Sequence, residues 1–311
     1  MITFLLSPKP FKGYADIQQR NTIISSKAIH PDAEVIIYGD GEGISDVCKE
    51  LQVQHVPDIG CAPSGIPYFN AIAEHANANA KNDILCYMNC DIILANDVVS
   101  AVKDIPFEQY MITGQRLDIK EGVEVDVTDP NCKSTLFRLV RENELVLHPA
   151  TGMDYFIFRR GMWQGMLPVI IGRAGYDEAL VLYCLRNDIP FINGTLSILA
   201  FHQFHDYGHQ KGGKKTVFFG EEALYNYKVH KNMHSRPNSA DAQWLLIDGD
   251  LIENKLLRGT LRKIEHFVRF KLKLEKFSLM FRFVWRGLVS IKLAKPIALT
   301  LREISDLLVK D

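Results

Sequence analysis

Carboxylate and imidazole side chains follow apolar runs of the sequence, where a metal site could form. Asp91 comes soon after the apolar run 84–88 and is followed at once by three more apolar residues. His202, His205 and His209 are spaced by three and four residues in a stretch rich in His, Gly and Lys. A divalent cation bound to phosphate takes only one or two ligands from the protein. We therefore predict a site for a hard divalent cation at Asp91, completed by one of these histidines.

The same residues also fit two alternative roles. Asp91 could instead cap a turn, as an aspartate after a strand often does. The three histidines together with Asp206 could bind zinc, although no H-E-x-x-H motif accompanies them in the sequence.

Two further carboxylates adjoin tyrosines and are candidates for acid–base chemistry. They are Asp154 and Asp177, and Asp177 is followed directly by Glu178. Apolar neighbours raise the pKa of a carboxyl group towards the range in which a general base works. Asp177 is equally well explained as the N-cap of a helix that has Glu178 in its first turn.

Several nucleotide-binding and hydrolase motifs are absent. The sequence contains no G-x-G-x-x-G after its first apolar run, no G-x-x-x-x-G-K-[ST] and no G-x-S-x-G. The stretch 39–43 is rich in glycine, but its two carboxylates would repel a phosphate, so it suits a ribose or a base edge better. These absences argue against dinucleotide-binding, P-loop and α/β-hydrolase proteins.

The elements that must position these residues alternate between strand and helix. Apolar runs predict strands at 2–6, 34–38, 53–56 and 84–88. Mixed segments between them predict helices at 17–28, 45–51 and 69–80. This alternation predicts an α/β fold with a mainly parallel, mixed sheet flanked by helices. Ligands bind beyond the carboxyl ends of the strands in such sheets, which draws attention to residues 7–10, 39–42 and 89–91.

The second half of the chain has a less regular pattern. We predict strands at 110–114 and 153–158 and a helix at 177–186. Residues 119–150 are charged and are predicted to be irregular, whereas 191–201 is predicted to be one buried strand interrupted by Gly194.

The charge of the chain is unevenly distributed. Its 311 residues include 36 Lys and Arg against 37 Asp and Glu, a net charge of -1. Residues 255–311 hold 14 Lys and Arg against 5 Asp and Glu, a net charge of +9, which leaves -10 for residues 1–254. We predict a catalytic domain at 1–254 and a basic tail at 255–311 that meets a polyanionic partner.

The pattern of the tail indicates what that partner is. Residues 255–295 place large apolar side chains at helical intervals among Lys and Arg, which predicts one or two basic amphipathic helices. Such helices lie in an anionic membrane surface. Packing of the tail on the body or in a homodimer stays open, and the aliphatic content argues against nucleic acid.

The six cysteines and the first residues of the chain indicate its compartment. The cysteines have no C-x-x-C spacing, and 1–6 is a short apolar run without a basic segment before it or a cleavage site after it. No stretch of 18 uninterrupted apolar residues occurs. We expect reduced thiols and a cytoplasmic protein, peripheral at the inner face of the cell membrane.

Five short motifs occur in an order that resembles the GT-A glycosyltransferases, especially a family-2-like bacterial and plant group. They are Ser-Pro-Lys-Pro at 7–10, Gly-Asp at 39–40, Asn-Cys-Asp at 89–91, Asp-Glu at 177–178 and His-Gln-Phe-His-Asp-Tyr at 202–207. Members of the group also share a Pro-Lys-Pro-Phe start, a Gln-Arg-Asn segment and an Asn-x-Asp-Ile-Ile-Leu stretch, which are here 8–11, 19–21 and 89–94. The resemblance covers roughly residues 1–210. It implies a Rossmann-like sheet that binds a nucleotide-diphosphate sugar, with Mn2+ or Mg2+ as the cofactor.

The resemblance also implies roles for individual residues. Asp91 would bind the metal, with His202 or His205 as metal or diphosphate ligand. The nucleotide-sugar donor would be bound by Pro8, Lys9, Arg20, Asp40, Asn89, Arg116, Asp118, Lys211 and Lys214. Asp177 or Glu178 would deprotonate the acceptor hydroxyl, and Asp154 would contact the acceptor. Asn89 stands where relatives have the first Asp of Asp-x-Asp, which weakens the case for a metal.

The function implied is sugar transfer to a lipid-linked or surface polysaccharide. A divalent cation and basic side chains would stabilise the departing diphosphate, and a single base would give inversion. Two alternatives stay open: a nucleotidyltransferase on a related sheet, and a non-catalytic, membrane-bound scaffold that binds nucleotide or glycan.

Overall fold

The computed structural model describes residues 1–94, 98–142, 144–204, 213–230, 236–255, 257–274 and 281. The strands are β1 (Ile2–Leu6), β2 (Glu34–Tyr38), β3 (Gln54–Val56), β4 (Ile84–Met88), β5 (Ile92–Leu94), β6 (Met111–Thr113), β7 (Leu117–Ile119), β8 (Leu145–Leu147), β9 (Tyr155–Arg159), β10 (Phe191–Asn193), β11 (Ala200–His202), β12 (Trp244–Ile247) and β13 (Asp250–Glu253). The α-helices are α1 (Gly13–Ala28), α2 (Ile44–Leu51), α3 (Phe69–Asn79), α4 (Val98–Ala101), α5 (Cys132–Arg141), α6 (Tyr176–Arg186), α7 (Gly213–Phe219), α8 (Glu221–Val229) and α9 (Leu257–His266).

Nine strands of the described chain form one mixed sheet in the order β13-β12-β10-β6-β9-β4-β1-β2-β3. At one end β1 pairs in parallel with β2 and β4, and β2 pairs in parallel with β3. β9 lies antiparallel between β4 and β6, after which β10 is again parallel to β6 and β12. The predicted α/β fold with a mixed sheet flanked by helices is confirmed.

β1 is apolar in sequence because helices cover both of its faces. Leu5 packs in a core cluster with residues of α3 and α6, whereas Phe4 and Leu6 pack in a second cluster with residues of α1 and α2. Every residue of β1 is buried. Strands that are buried on both faces read as continuous apolar runs, which is why this part of the sheet was predictable.

A second sheet, in the order β5-β11-β7-β8, brings distant polar residues together. β11 pairs with β5 so that His202 is opposite Ile92, next to Asp91. On its other side β11 pairs in parallel with β7, and His202 is opposite Asp118. The register of this small sheet therefore places an imidazole between two carboxylates.

The described beginning of the tail packs on the body. Lys263 donates a hydrogen bond from Nζ to Oε1 of Glu253 at 2.9 Å. Beyond α9, a π-helical turn at Phe267–Lys271 packs Phe270 against the core cluster that contains α6, and Lys271 pairs with Asp188. The division into domains at residue 254 stays a prediction, and residues 275–280 and 282–311 lie outside the described chain.

The lengths and compositions of the helices bear on membrane insertion. In the part of the chain that the structure describes, no helix combines the length and the apolar content needed to cross a membrane.

Candidate active site

A cavity of about 940 Å³ opens beyond the carboxyl ends of β1, β2 and β4. Ser7, Gly39 and Asn89, which follow those strands, all line it. The site residues predicted from the sequence that line the cavity are Pro8, Lys9, Asp40, Asn89, Asp91, Arg116, Asp154, Asp177, Glu178 and His202. The position is the one at which α/β sheets bind their ligands.

Five predicted residues are not placed in the cavity wall, and one of them, Asp118, lies next to it and is bonded to Arg116 and His148. Arg20 does not line it, because its guanidinium pairs with Asp16 and Glu50, each at 2.7 Å. Lys211 and His205 lie outside the described residues, and Lys214 is described only as part of the backbone of α7. Arg20 therefore stabilises the contact between α1 and α2 in this structure.

A glutamine of α1 fixes the loop that follows β1. The side chain of Gln19 accepts a hydrogen bond from the backbone N–H of Lys9 at 2.6 Å and donates one to the carbonyl of Lys9 at 3.0 Å. On the neighbouring strand, the N–H of Gly39 donates to the carbonyl of Val56 at 3.1 Å, and φ of Gly39 is 106°. These contacts hold Lys9 and the exposed Asp40 at one end of the cavity.

His202 is held between two carboxylates in the wall of the cavity. Its Nδ1 lies 3.0 Å from Oδ1 of Asp118, and its Nε2 lies 3.9 Å from Oδ2 of Asp91. Because a carboxylate only accepts, Nδ1 donates the hydrogen bond to Asp118, which leaves Nε2 as the ring nitrogen nearer to Asp91. His148 also bonds to Asp118, with 2.7 Å between Nδ1 and Oδ2.

These donors fit a divalent cation that takes most of its ligands from elsewhere. Asp91 and His202 supply an oxygen and a nitrogen on the same wall, and diphosphate and water would complete the coordination. Within the described residues no group of three or more His, Cys, Asp or Glu side chains is placed to hold a metal ion. The predicted zinc alternative depends on His205, Asp206 and His209, which lie outside those residues.

Asp118 stays ionised beside these histidines. Burial alone would raise its pKa, but hydrogen bonds from His148 and His202 and the charge of Arg116 hold that pKa well below its usual range. Asp118 therefore keeps its negative charge. Its contact with Nδ1 of His202 orients the imidazole so that Nε2 is directed towards Asp91.

A second set of polar contacts surrounds Asp154 in the centre of the cavity. Arg116 donates from Nη1 to Oδ2 of Asp154 and from Nε to Oδ1 of Asp118, both at 2.8 Å. Asn89 donates from Nδ2 to Oδ1 of Asp154 at 2.6 Å and accepts a hydrogen bond from the hydroxyl of Tyr176 at 2.9 Å. Both carboxylate oxygens of Asp154 are thus bound by the protein.

Asp177 lies in the first turn of α6 and lines the same cavity. The N-cap of that helix is Gly175 in the left-handed conformation, so Asp177 is not the N-cap. Its Oδ1 accepts a hydrogen bond from the N–H of Glu178 at 2.9 Å. Burial, together with the nearby charge of Asp154, raises the pKa of Asp177 to about 7. That value is suited to a general base at neutral pH.

Sequence reasoning missed the wall of the cavity that lies beyond Asp177. Arg173 donates from Nε to Oε2 of Glu222 at 2.7 Å, and the hydroxyl of Ser64 bonds to the other oxygen of Glu222. Burial and the charge of Glu178 raise the pKa of Tyr227 to about 12. Further residues of this wall are Val217, Phe218, Phe219 and Arg236. Val217, Phe218 and Phe219 belong to α7, Tyr227 belongs to α8, and Arg236 lies before β12. The sequence of these segments contains no recognisable motif.

The chain is similar to solved structures at low sequence identity. No protein-family model matches the chain, and no curated protein sequence matches it. A structure of glucosyl-3-phosphoglycerate synthase from Mycobacterium tuberculosis with Mn2+, UDP and phosphoglyceric acid is 14% identical, covers 76% of this chain and 80% of its own, and has a TM-score of 0.45. Another, with Mn2+, UDP and glucosyl-3-phosphoglycerate, is 16% identical, covers 81% and 86%, and has a TM-score of 0.42. At this level of similarity these proteins assign no ligand and no residue role to the chain.

Proposed function

We propose that the chain is a GT-A-type glycosyltransferase, which transfers a sugar from a nucleotide-diphosphate donor to an acceptor hydroxyl with inversion. One observation carries the proposal: a single cavity is lined by Asp91 and His202 and also by Asp177, whose pKa is raised to about 7. Sugar transfer needs both, a place for the departing diphosphate and a base for the incoming hydroxyl. The ordered motifs in the sequence favour the same activity.

The donor end would hold the nucleotide against the loops after β1 and β2. Pro8, Lys9 and Asp40 line the cavity there, and the contact between Gln19 and Lys9 fixes the loop. When bound at Asp91 and His202, Mn2+ or Mg2+ would neutralise charge on the diphosphate as it leaves. Arg116 would add a fixed positive charge near the transferred sugar.

Asp177 would act as the base in the transfer step. Its carboxylate accepts the proton of the acceptor hydroxyl while that oxygen forms a bond to the anomeric carbon. The bond from the anomeric carbon to the diphosphate oxygen breaks, and the diphosphate leaves with the electron pair. Attack from the side opposite the leaving group inverts the anomeric centre. Glu178 lines the cavity beside Asp177 and would orient the acceptor.

The wall beyond Asp177 supports an acceptor with an apolar portion. Val217, Phe218 and Phe219 present apolar and aromatic surface to the cavity, and Tyr227 adds a further ring. A glycan attached to a lipid, or a growing surface polysaccharide, is the acceptor that we propose. Lys211 and Lys214 keep their proposed role at the leaving nucleotide.

The described part of the tail supports a peripheral position on an anionic membrane. The side chains of Ile264, Phe267, Leu272 and Leu274 are between 44% and 57% exposed. Lys271 and Lys273 lie among them in the sequence. Exposed apolar groups interleaved with cations suit the interface of the cytoplasmic leaflet. A homodimer through the same surface is the alternative.

Calorimetry with UDP, GDP and CDP, each with and without manganese, tests the proposal. We expect one nucleotide to bind and manganese to strengthen its binding, and a screen of the matching nucleotide sugars should then release that nucleotide. Nucleotide binding without any release would favour the non-catalytic scaffold. Release of pyrophosphate instead would favour the nucleotidyltransferase, and failure of all three nucleotides to bind would overturn the assignment.

A further inference from the structure

Asn89 uses both ends of its amide group inside the protein. Its Nδ2 donates to Oδ1 of Asp154 at 2.6 Å, and its Oδ1 accepts from the hydroxyl of Tyr176 at 2.9 Å. The backbone N–H of Asn89 donates to the carbonyl of Asp154 at 2.9 Å as well. The side chain is therefore directed at Asp154 and α6, and its amide nitrogen, which cannot bind a cation, faces the carboxylate.

The chemistry of these contacts requires an amide at position 89. A carboxylate only accepts hydrogen bonds, so an aspartate here could still accept from Tyr176 but would have no proton to donate to Asp154. Two carboxylate oxygens would then face each other at the distance now spanned by a hydrogen bond. Asp154 is only 7% exposed, so water would screen that repulsion poorly.

Asp154 in turn connects α6 with the small sheet. Its Oδ1 is bound to Asn89, and through Asn89 to Tyr176, which precedes Asp177 in α6. Its Oδ2 is bound to Arg116, which also holds Asp118 behind His202. Loss of the contact from Asn89 would leave Asp154 held on one side only.

We infer that Asn89 and Tyr176 are positioning residues that fix Asp154 between α6, which carries Asp177, and the small sheet, which carries Asp118 and His202. We also infer that Asn89 is not a metal ligand. Its effect on catalysis rests on the proposed function, whereas its effect on Asp154 does not. The Asn at the first position of the Asn-x-Asp motif then serves to donate a hydrogen bond to Asp154. It is not a substitute for the first carboxylate of a metal site that has two.

A charge-exchange experiment at fixed pH 8 tests the contact without reference to activity. We expect Asn89→Asp to lower Tm by more than about 4 °C relative to wild type, because it buries a second charge against Asp154. The double variant Asn89→Asp with Asp154→Asn restores the pair, since the new amide donates to the new carboxylate and its oxygen still accepts from Arg116. It should recover at least half of the lost Tm. Gln54→Glu, an amide-to-acid change at an exposed position of β3, is the control and should leave Tm unchanged.

Two further measurements separate this inference from the proposed function. Manganese, titrated into the protein with whichever of UDP, GDP or CDP binds tightest, should bind Asn89→Asp no more tightly than wild type. Tyr176→Phe should lower kcat at least about tenfold with little change in the KM of the donor. Tighter binding of manganese to Asn89→Asp, or no recovery of Tm in the double variant, would overturn the inference even if transfer is demonstrated. If no nucleotide binds at all, the Tm series still decides it.

Discussion

Arg116 and Asp154 form an ion pair in the wall of the cavity, with 2.8 Å between Nη1 and Oδ2. Counting side-chain atoms alone, Arg116 is only 16% exposed and Asp154 only 10%. Arg116 comes two residues before Asp118 of the small sheet, and Asp154 directly precedes β9 of the large sheet, so the pair joins the two sheets where the ligand would bind. A planar guanidinium is suited to this position because it reaches both Asp154 and Asp118 from one plane.

Arg116→Ala should destabilise the protein strongly, since it leaves Asp154 and Asp118 charged without their partner. Loss of one member of a buried pair costs about 3–5 kcal/mol in the free energy of unfolding, measured by urea denaturation. Arg138→Ala is the matched control, because its pair with Glu142 is half exposed. That change should cost no more than about 1 kcal/mol. Equal losses in the two variants would contradict a structural role for Arg116 at the cavity.

Asp177→Asn should abolish transfer and remove the pH dependence that Asp177 imposes on stability. In wild type, kcat/KM should fall below about pH 7, where the base becomes protonated. The folded-state pKa is above the unfolded value of 3.8, so the folded protein binds the proton more tightly. The contribution of Asp177 to stability is thus fully present below pH 4 and is lost as the pH rises to about 7.

At pH 8 the Asp177→Asn variant should therefore be more stable than wild type, by about 1–4 kcal/mol. Thermal unfolding from pH 4 to pH 8 checks this, and the nucleotide affinity should stay unchanged. Asp46→Asn, at an exposed carboxylate of α2, is the control and should leave the pH profile as it is. Retained transfer in Asp177→Asn would assign the base to another group.

The cavity wall that follows β1, β2 and β4 was predictable because these strands are mostly apolar. The ends of β1, β2 and β4 place Pro8, Asp40 and Asn89 in one cavity, as a mainly parallel sheet requires. Burial on both faces gives such strands a signal that does not depend on distant partners. Each of these three residues could be placed at the cavity from its position just after an apolar run of the sequence.

The small sheet could not be predicted, since its strands are three residues long and pair over large sequence separations. Residues 191–201 were predicted as one strand but form β10 and β11, which belong to different sheets. The side chain of Asn193 accepts a hydrogen bond from the N–H of Thr195 at 2.9 Å and so turns the chain at Gly194. A Cβ at Gly194 would lie 2.9 Å from Cγ2 of Ile112, which explains the glycine.

The segment 119–150 was wrongly predicted to be irregular throughout. It contains α5 and β8, and α5 buries Leu136, Leu139 and Val140 against the small sheet. These three residues have helical spacing, but charged neighbours such as Arg138 and Arg141 obscured it. The positions of Asp118 and His202 depend on this sheet, so their approach to Asp91 could not be derived from the sequence.

Asp91→Ala should remove the part of nucleotide affinity that depends on metal, and only that part. With manganese present, the Kd for the nucleotide should rise at least about tenfold, to the value that wild type shows with a chelator. Asp40→Ala is the contrasting variant, because Asp40 lines the nucleotide end of the cavity. Its loss of affinity should be the same with and without manganese. An equal response to manganese in wild type and Asp91→Ala would exclude Asp91 as a ligand.

Exposed apolar residues beyond α9 should control binding to anionic membranes. Deleting the whole tail is a poor test, because Phe270 and Lys271 contact the body and their loss would disturb the fold. The double variant Phe267→Ser with Leu272→Ser removes surface that is 57% and 50% exposed and spares those contacts. It should sediment with anionic vesicles at least about tenfold more weakly than wild type.

The matched control is Val146→Ser with Leu167→Ser, since each of these side chains is 54% exposed and lies outside the tail. This variant should bind the vesicles like wild type. Binding by wild type should also weaken as salt is raised from 0.1 M to about 0.5 M, because the cations among the apolar residues act through a screened potential. If the tail variant sediments like the control, and its size in solution is halved instead, the surface joins two copies of the chain.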